Sequence, residues 1–445
     1  MKICAYVQVQ YAKAVYKNEN YNTRQWIGLS LVIDSLKRNG YEMQFAGMAT
    51  VHNYNIVLVS ITSDCDWWGF IAERVKWQEG NYIVVVGGAG VLNVRPFLKY
   101  ADCFVLGRGE NLIFDIVKSI QNNMRFDNPS VIWSNQFSIN NNYRIRQEGV
   151  YPHCIKLENG KEYKEQNIGC PRKCLFCSYT YSRKTTGDRE YEAGTGIWVQ
   201  KERSILDMVE NGNIDLTYLR MTSIDGMSER IRFMVAKPIK SEHIRMLLDL
   251  MANHDLPHQL KIFNIVGFPS ETVEDWHEFL NDICVVDRQY NKNKQWPIIL
   301  HNTPFRAMPA TPAACWPMSY KNYRGKIAQV LGKGHYKGNI FFRGNRFFAV
   351  EGMGTDSLPT VILSAICWRG TESDTENIER ISLTKKFWGA DTATKQLTLE
   401  KYFDVKTLFG EFYPDTLPTR NIKTHTDVEK YWGKKPWLKT QQQNK

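Results

Sequence analysis

At 445 residues, with 43% hydrophobic and 23% charged side chains, the chain is long enough for about three domains and has the composition of an ordinary soluble globular protein. No apolar run approaches the ~20 residues of a membrane span, and ten cysteines without a paired pattern favour a reducing cytoplasm over a disulfide framework. The net charge of +11 is uneven, because residues 321–445 hold 21 Lys and Arg against 13 Asp and Glu. A basic surface mixed with aromatics suits an anionic partner such as nucleic acid, although a solubilising tail has the same composition.

The opening "MKICAYVQVQY" alternates polar and apolar residues and is expected to be a first strand, not a signal peptide. "TRQWIGLSLVIDSLKRNG" is an amphipathic helix stopped by Gly40. "NIVLVSIT", "YIVVVGGAG" and "CFVLGRGE" are apolar strands, and "DWWGFIAERVKWQEG" and "NLIFDIVKSIQNN" are helices between and after them. Buried strands alternating with helices predict a doubly wound parallel sheet over residues 1–125. Ligands of such sheets sit at the carboxyl ends of the strands, here Ser60 to Asp64, Gly87 to Gly90 and Gly107 to Glu110.

Residues 126–165, rich in Asn and Ser with short strand-like pieces, read as a linker. From 166 to 318 strands and helices alternate again, as "LTYLRMTSID", "SEHIRMLLDLMANH", "QLKIFNIVGFP", "TVEDWHEFLNDICVV" and "WPIILHNTP". That pattern predicts a second α/β unit, a barrel or part of one. The remainder, 319–445, is expected to be a basic C-terminal α+β extension, with "GNIFFRGNRFFAVEG" as a hairpin turning at Arg343, Gly344 and Asn345.

At the start of the second unit stands "GCPRKCLFCSY", with Cys170, Cys174 and Cys177 in a C-x3-C-x2-C spacing. Structural zinc wants four ligands, commonly as two separated C-x2-C pairs, and only Cys154 is near enough in sequence to complete the set. Three thiolates instead suit a 4Fe–4S cluster with one iron left open for a small molecule. S-adenosylmethionine, held there by its amino and carboxylate groups, could accept one electron and yield a 5′-deoxyadenosyl radical, chemistry that the cofactors carry and the protein positions.

The cysteine spacing, with Phe176 before the last cysteine, resembles the signature of the radical SAM superfamily. Three further stretches are similar to segments of that family. In "SIDGMSERIRFMVAKPIKSEHI", Asp225 falls on an acidic position, Ser228, Glu229 and Arg230 on "SER", and Lys237 on a basic position. "KIFNIVGFPSET" resembles the strand ending in G-x-P-x-E-T, and "NTPFRAMPATP" the closing PF-x-x-x-P-G-T-P, with Ala310 in place of glycine. The resemblance covers residues 150–312 and implies a radical SAM partial TIM barrel. It implies catalytic, metal-binding roles for Cys170, Cys174 and Cys177, and S-adenosylmethionine contacts from Phe176, Asp225, Ser228, Glu229, Arg230, Lys237, and main chain near Ile265 and Gly267. About forty residues separate Cys177 from the next clear strand, fewer than the family places there, so a shortened barrel is expected.

The first unit resembles the cobalamin-binding-type domain that many such enzymes carry, through "VVVGGAGVLNVRPFLKYADCFVLGRGE". The lower-ligand motif D-x-H-x-x-G is absent, so a bound cobalamin would lack a protein histidine on cobalt. Two outcomes stay open: rearrangement or modification of a nucleic-acid base or other anionic substrate, and cobalamin-dependent C-methylation. Either implies an electron donor such as flavodoxin or ferredoxin. A zinc-containing nucleic-acid-binding protein is the alternative outside enzymology.

Overall fold

The computed structural model describes residues 1–6, 27–64, 66–138, 141, 143–145, 151–156, 162–165, 174–178, 221–237, 239–253, 260–289, 298–319, 335–337, 340–342, 348–351 and 357–411. Cys170 and the basic segment 412–445 lie outside them.

The chain is α/β. Strands β1 (Ile3–Tyr6), β2 (Met43–Ala46), β3 (Ile56–Ser60), β4 (Ile83–Gly87), β5 (Cys103–Val105) and β6 (Val131–Trp133) form one sheet in the order β2-β1-β3-β4-β5-β6. All pairs are parallel except β5 with β6. This is the doubly wound order with its switch point between β1 and β3. Helix α1 (Ile27–Arg38) buries Leu29, Leu31 and Leu36 and ends where Gly40 turns at φ +82°, as an apolar stripe followed by glycine requires. Helices α2 (Asp66–Arg74) and α3 (Ile113–Gln121) follow β3 and β5. On α2 the Trp67 ring stacks on Phe97 at 3.9 Å between centroids, while its indole N–H donates to the Gly90 carbonyl at 3.0 Å.

The stretch read as a linker is built into this unit. β6 completes the sheet, and the two-stranded hairpin of β7 (Ile155–Lys156) and β8 (Glu162–Tyr163) lies against α1, where Tyr151 and Ile155 share a small core with Leu31.

The second sheet has the order β12-β13-β14-β11-β10-β9. Its parallel strands are β9 (Met221–Ser223), β10 (Leu260–Val266), β11 (Ile298–Pro304) and β14 (Phe348–Glu351); β12 (His335–Lys337) and β13 (Ile340–Phe342) add antiparallel. Helices α4 (Glu229–Met234), α5 (Ser241–Asn253) and α6 (Val273–Gln289) lie between the parallel strands. β13 and β14 pair as the expected hairpin, with its turn outside the described residues. β14 extends the sheet beyond residue 318 by pairing parallel to β11. The strand "LTYLRMTSID" is described only from Met221, and "ERSILDMVENG" lies outside the described residues.

Among the described residues five helices follow: α7 (Ser357–Arg369), α8 (Thr375–Leu383), α9 (Lys385–Gly389), α10 (Thr392–Tyr402) and α11 (Val405–Phe409). Residues 361–370 of α7 and its cap are all buried, as befits a helix apolar on every side. α7 packs against Trp68 and Asp64 of the first unit and Arg306 and Ala314 of the second, and one continuous core runs from Tyr6 and Trp67 through Phe305 and Trp316 to Ile366 and Phe409. Asn93 caps the end of α7 by donating to the carbonyls of Trp368 and Gly370 (3.2 and 3.0 Å). Asp64, just after β3, accepts from Arg306 Nη1 at 2.9 Å, and the Ser364 hydroxyl joins the pair. No helix among the described residues is long and apolar enough to cross a membrane.

Candidate functional site

Two of the three cysteines, Cys174 and Cys177, fall within the described residues, on a tight turn closed by Cys177 N–H donating to the Cys174 carbonyl at 3.1 Å. Separate segments meet at this turn. Leu175 N–H donates to the Val235 carbonyl at the end of α4, and Ala313 N–H donates to the Leu175 carbonyl, both at 3.1 Å. Between the cysteines, Phe176 meets Phe268 at 5.8 Å, and Phe268 continues to Phe305 at 4.9 Å. Beyond Cys177, the Ser178 hydroxyl contacts Met308 Sδ at 3.3 Å. The cysteine turn is therefore walled by the three segments "SERIRFMV", "GFPSET" and "PFRAMPATP". Phe268 and Phe305 stand just beyond the carboxyl ends of β10 and β11, where α/β sheets carry their sites. Among the described residues no group of three His, Cys, Asp or Glu side chains is arranged to hold a metal; the third cysteine, Cys170, is not among them. Soft thiolates at C-x2-C spacing on a turn are a donor set that fits an iron–sulfur cluster.

Asp225 follows β9 with a left-handed φ of +48°, a conformation that aspartate adopts more readily than most residues. Gly226 N–H donates to Asn264 Oδ1 at 2.7 Å and holds the turn in place. The Asp225 carboxylate pairs with the Lys237 ammonium, which also donates to Ser223 Oγ at 2.8 Å. Ser223 and Lys237 are half-buried, so an acid and a base stand together at the end of β9.

Ser228, Glu229 and Arg230 spend their polar atoms on the protein itself. Ser228 caps α4, accepting from Ile231 N–H at 3.3 Å, and its hydroxyl donates to Asp275 Oδ1. Glu229 accepts from Ser241 N–H at 2.7 Å, at the start of α5. Arg230 pairs with Asp275 and reaches the Ser270 carbonyl at 2.9 Å. Arg232, fully buried, donates to the carbonyls of Ile239 and Gly226 and to Ser241 Oγ (2.6, 3.1 and 2.7 Å). The bonds made by "SERIR" thus join α4, α5 and α6. Arg232, and Asn264 with Asn302, whose Oδ1 accepts from Asn264 Nδ2 at 2.9 Å, belong to no motif in the sequence. Their only signal there is polarity within otherwise apolar stretches, since asparagine is depleted from strands.

Gly267 ends β10 at φ +83°, and its N–H donates to Glu271 Oε2 at 2.7 Å. Ile265 is half-buried against the core. Ala310, which stands where the segment it resembles carries glycine, has φ +59° and is completely buried. Left-handed geometry costs a non-glycine residue about 1–2 kcal/mol. Glycine's extra chain entropy returns about 0.5–1 kcal/mol of that, and the lost methyl about 0.8. Ala310→Gly is accordingly expected to shift stability by less than about 1 kcal/mol, whereas Ala310→Val costs at least about 2. Chemical denaturation of both variants checks the contrast.

A second concave feature lies at the carboxyl ends of β3, β4 and β5. A cavity of about 450 Å³ is walled by Leu58, Val85 and Val105, floored by Gly87 and Gly88, and edged by Arg108. Its volume is in the range of small-molecule sites. Gly88 has φ +116°, and a Cβ there would stand 2.4 Å from the Ile61 carbonyl oxygen, so only glycine makes this floor. Ser60, Thr62 and the stretches 87–89 and 107–110 all line it, as the sequence predicted for a ligand. The side chains of Arg108, Glu110 and Glu165 are 9%, 6% and 9% exposed, with Arg108 between the two carboxylates. Burial opposes the Arg108 charge, but its hydrogen bonds to Glu165 and the nearby charge of Glu110 outweigh it and hold the guanidinium above its ordinary pKa. Among the described residues no histidine lines the cavity.

No protein-family model matches this chain. The uncharacterized protein MJ0966 of Methanocaldococcus jannaschii is 24% identical over a match that covers 54% of this chain and 65% of that protein, so the match spans less than two thirds of that relative. Among solved structures, radical S-adenosylmethionine methyltransferase TsrM from Kitasatospora setae, with tryptophan substrate and a SAM analog bound, is 12% identical. That alignment covers 84% of this chain and 89% of TsrM at a TM-score of 0.43. The cobalamin-dependent S-adenosylmethionine radical enzyme OxsB with aqua-cobalamin bound is also 12% identical, covering 64% of this chain and 52% of OxsB at a TM-score of 0.36. Neither score reaches the level of a shared fold, and the fold above rests on this chain's own strand order.

Proposed function

We propose that this chain is a radical SAM enzyme in which Cys170, Cys174 and Cys177 hold a 4Fe–4S cluster beside bound S-adenosylmethionine. The observation that carries the reading is the meeting of three sequence-distant segments on the Cys174–Cys177 turn. When bound, a cluster of this kind supplies the electron that splits a carbon–sulfur bond of S-adenosylmethionine, giving a radical that removes hydrogen from a substrate. The protein's part is to bind, orient and exclude water. Asp225 and Lys237 are the polar pair placed to meet the ribose and the charged methionine end. Phe176 and Phe268 form an apolar wall, and main chain at Ile265 and Gly267 offers groups for the adenine. Ser228, Glu229 and Arg230 serve by fixing the loop that carries Asp225.

The test is anaerobic reconstitution with iron and sulfide, then S-adenosylmethionine and a strong reductant, with 5′-deoxyadenosine read by mass spectrometry. Product from the intact protein supports the reading; a zinc-loaded, iron-free protein that forms none sinks it. Charge-assisted hydrogen bonds contribute about 1.5–3 kcal/mol each. Lys237→Met is therefore expected to weaken S-adenosylmethionine binding by about ten- to a hundredfold, measured by calorimetry.

Within this class, the cavity in the first unit favours cobalamin-dependent methyl transfer over a reaction without a second cofactor. A corrinoid supplies a methyl carrier, and the glycine-floored cavity is suited to its nucleotide tail. Binding of hydroxocobalamin to the purified protein decides between the two outcomes. A nucleic-acid substrate would instead show binding that falls steeply with salt.

A further inference from the structure

We infer that Arg306 is an anion anchor for the substrate, a guanidinium fixed on one side by Asp64 and Ser364 and open on the other to a carboxylate. The inference rests on the radical SAM reading for the presence of a substrate at this end of the second sheet. Arg306 comes two residues after β11, and Asp64 four residues after β3. Both therefore stand at the carboxyl ends of parallel strands, where α/β sheets carry their ligands. The ligand ends of the two sheets meet here, since Arg306 Nη1 donates to Asp64 Oδ2 at 2.9 Å. On one side, Thr62, two positions before Asp64, lines the cavity of the first unit. On the other, the loop that carries Arg306 reaches the cysteine turn, through Phe305 and Phe268 to Phe176 and through Met308 to Ser178. A substrate held at Arg306 thus lies between the two candidate cofactor sites.

The way the guanidinium is held decides what it can take. Nη1 is fixed from two directions, because Ser364 Oγ stands 3.2 Å away and itself pairs with the Asp64 carboxylate. Ser364 is fully buried and the Asp64 side chain is 5% exposed, whereas the Arg306 side chain is 32% exposed. Its Nε and Nη2 have no partner among the described residues. Arg232 and Arg369 differ: both are buried, and each spreads its nitrogens over several protein acceptors. An arginine that only tied the two units together would spend its donors in the same way. Arg306 instead keeps two adjacent donors, Nε and Nη2, which match the two oxygens of a carboxylate side-on. The side chain is already held in place, so little further order is lost on binding. A second carboxylate on one guanidinium is no obstacle in this chain, since Arg108 stands between Glu110 and Glu165. With Asp64 already on the group, a single negative charge is a better match than the nearly double charge of a phosphate monoester. The ligand class is therefore a substrate that carries a carboxylate.

The probe is benzoate, with benzamide as its uncharged counterpart. Phenylglyoxal modifies accessible guanidinium groups, and peptide mass spectrometry reads its rate at residue 306. In the full-length protein as purified, saturating benzoate is expected to slow modification of Arg306 at least tenfold. Benzoate is also expected to bind at least tenfold more tightly than benzamide, read by saturation-transfer NMR. Arg306→Gln is expected to lose that preference. Arg306→Lys keeps a cation beside Asp64 but lacks the fork; it is expected to lose the preference too, and carries the test if the glutamine variant does not fold. Equal binding of benzoate and benzamide by wild type, or a preference unchanged in the variants, overturns the inference. In the reconstituted protein, S-adenosylmethionine is expected to leave modification of Arg306 unslowed. Shielding by it would assign Arg306 to the carboxylate of S-adenosylmethionine and overturn the assignment to substrate. The benzoate arms need neither cluster nor S-adenosylmethionine. Failure to form 5′-deoxyadenosine sinks the radical SAM reading instead, and benzoate binding then still decides whether Arg306 holds a carboxylate.

Discussion

Cys174→Ala is expected to fold, to lose the iron of the reconstituted protein and to form no 5′-deoxyadenosine above a protein-free control. The turn that carries Cys174 is held by main chain, through Leu175 to Val235 and Ala313 and through Cys177 N–H to the Cys174 carbonyl. None of these bonds needs the sulfur, so the fold survives its loss. A cluster bound by three thiolates has no spare ligand, and removal of one leaves two. Iron analysis, circular dichroism and the deoxyadenosine assay together check the prediction. A variant that keeps about four irons per chain and full product would show that Cys174 is not a cluster ligand. Loss of iron with loss of fold would show that the cysteine acts structurally.

Arg369→Met is expected to destabilise the protein by at least about 3 kcal/mol, as one buried cation satisfies four carbonyls that would otherwise be orphaned. Arg369 is 3% exposed at the end of α7. Nη1 donates to Leu408 and Gly410 at 2.9 and 2.6 Å, and Nη2 to Ala314 and Trp316 at 2.9 and 2.6 Å. These carbonyls end α11 and the short turn Pro312–Cys315, and the last carbonyls of helical turns carry partial negative charge. Burial lowers the Arg369 pKa to about 9, a measure of what desolvation costs here, and the four carbonyls offset it. Lysine would not rescue, since a single ammonium lacks the planar fork that spans two chain ends. Denaturant melts of Arg369→Met and Arg369→Lys check this. A loss below about 1 kcal/mol for both would mean that water replaces the clamp. Because the Pro312–Cys315 turn also receives the cysteine loop through Ala313, the clamp supports the candidate site as well as the core.

The alternating elements of both sheets, the glycine stop at Gly40 and the cysteine spacing were legible in the chain because each is a local pattern. An apolar run of strand length, a helical period or two residues three apart carries its own signal. The ligand ends of β3, β4 and β5 were legible for the same reason: glycine after an apolar strand marks a turn that no side chain can enter. What the tertiary structure alone decided are the partners of charged and polar groups. Arg306 meets Asp64 242 positions away, and Arg108 meets Glu165 57 positions away, distances across which no local pattern reports. The same holds for "SERIR", whose bonds to Ile239, Ser241 and Asp275 cross from one helix to the next. The linker-like 126–165 and the extension past 318 looked separate because their strands are only two to four residues long. Strands that short gain their stability from the sheets and helices they join, and pairing of that kind is a property of the folded chain.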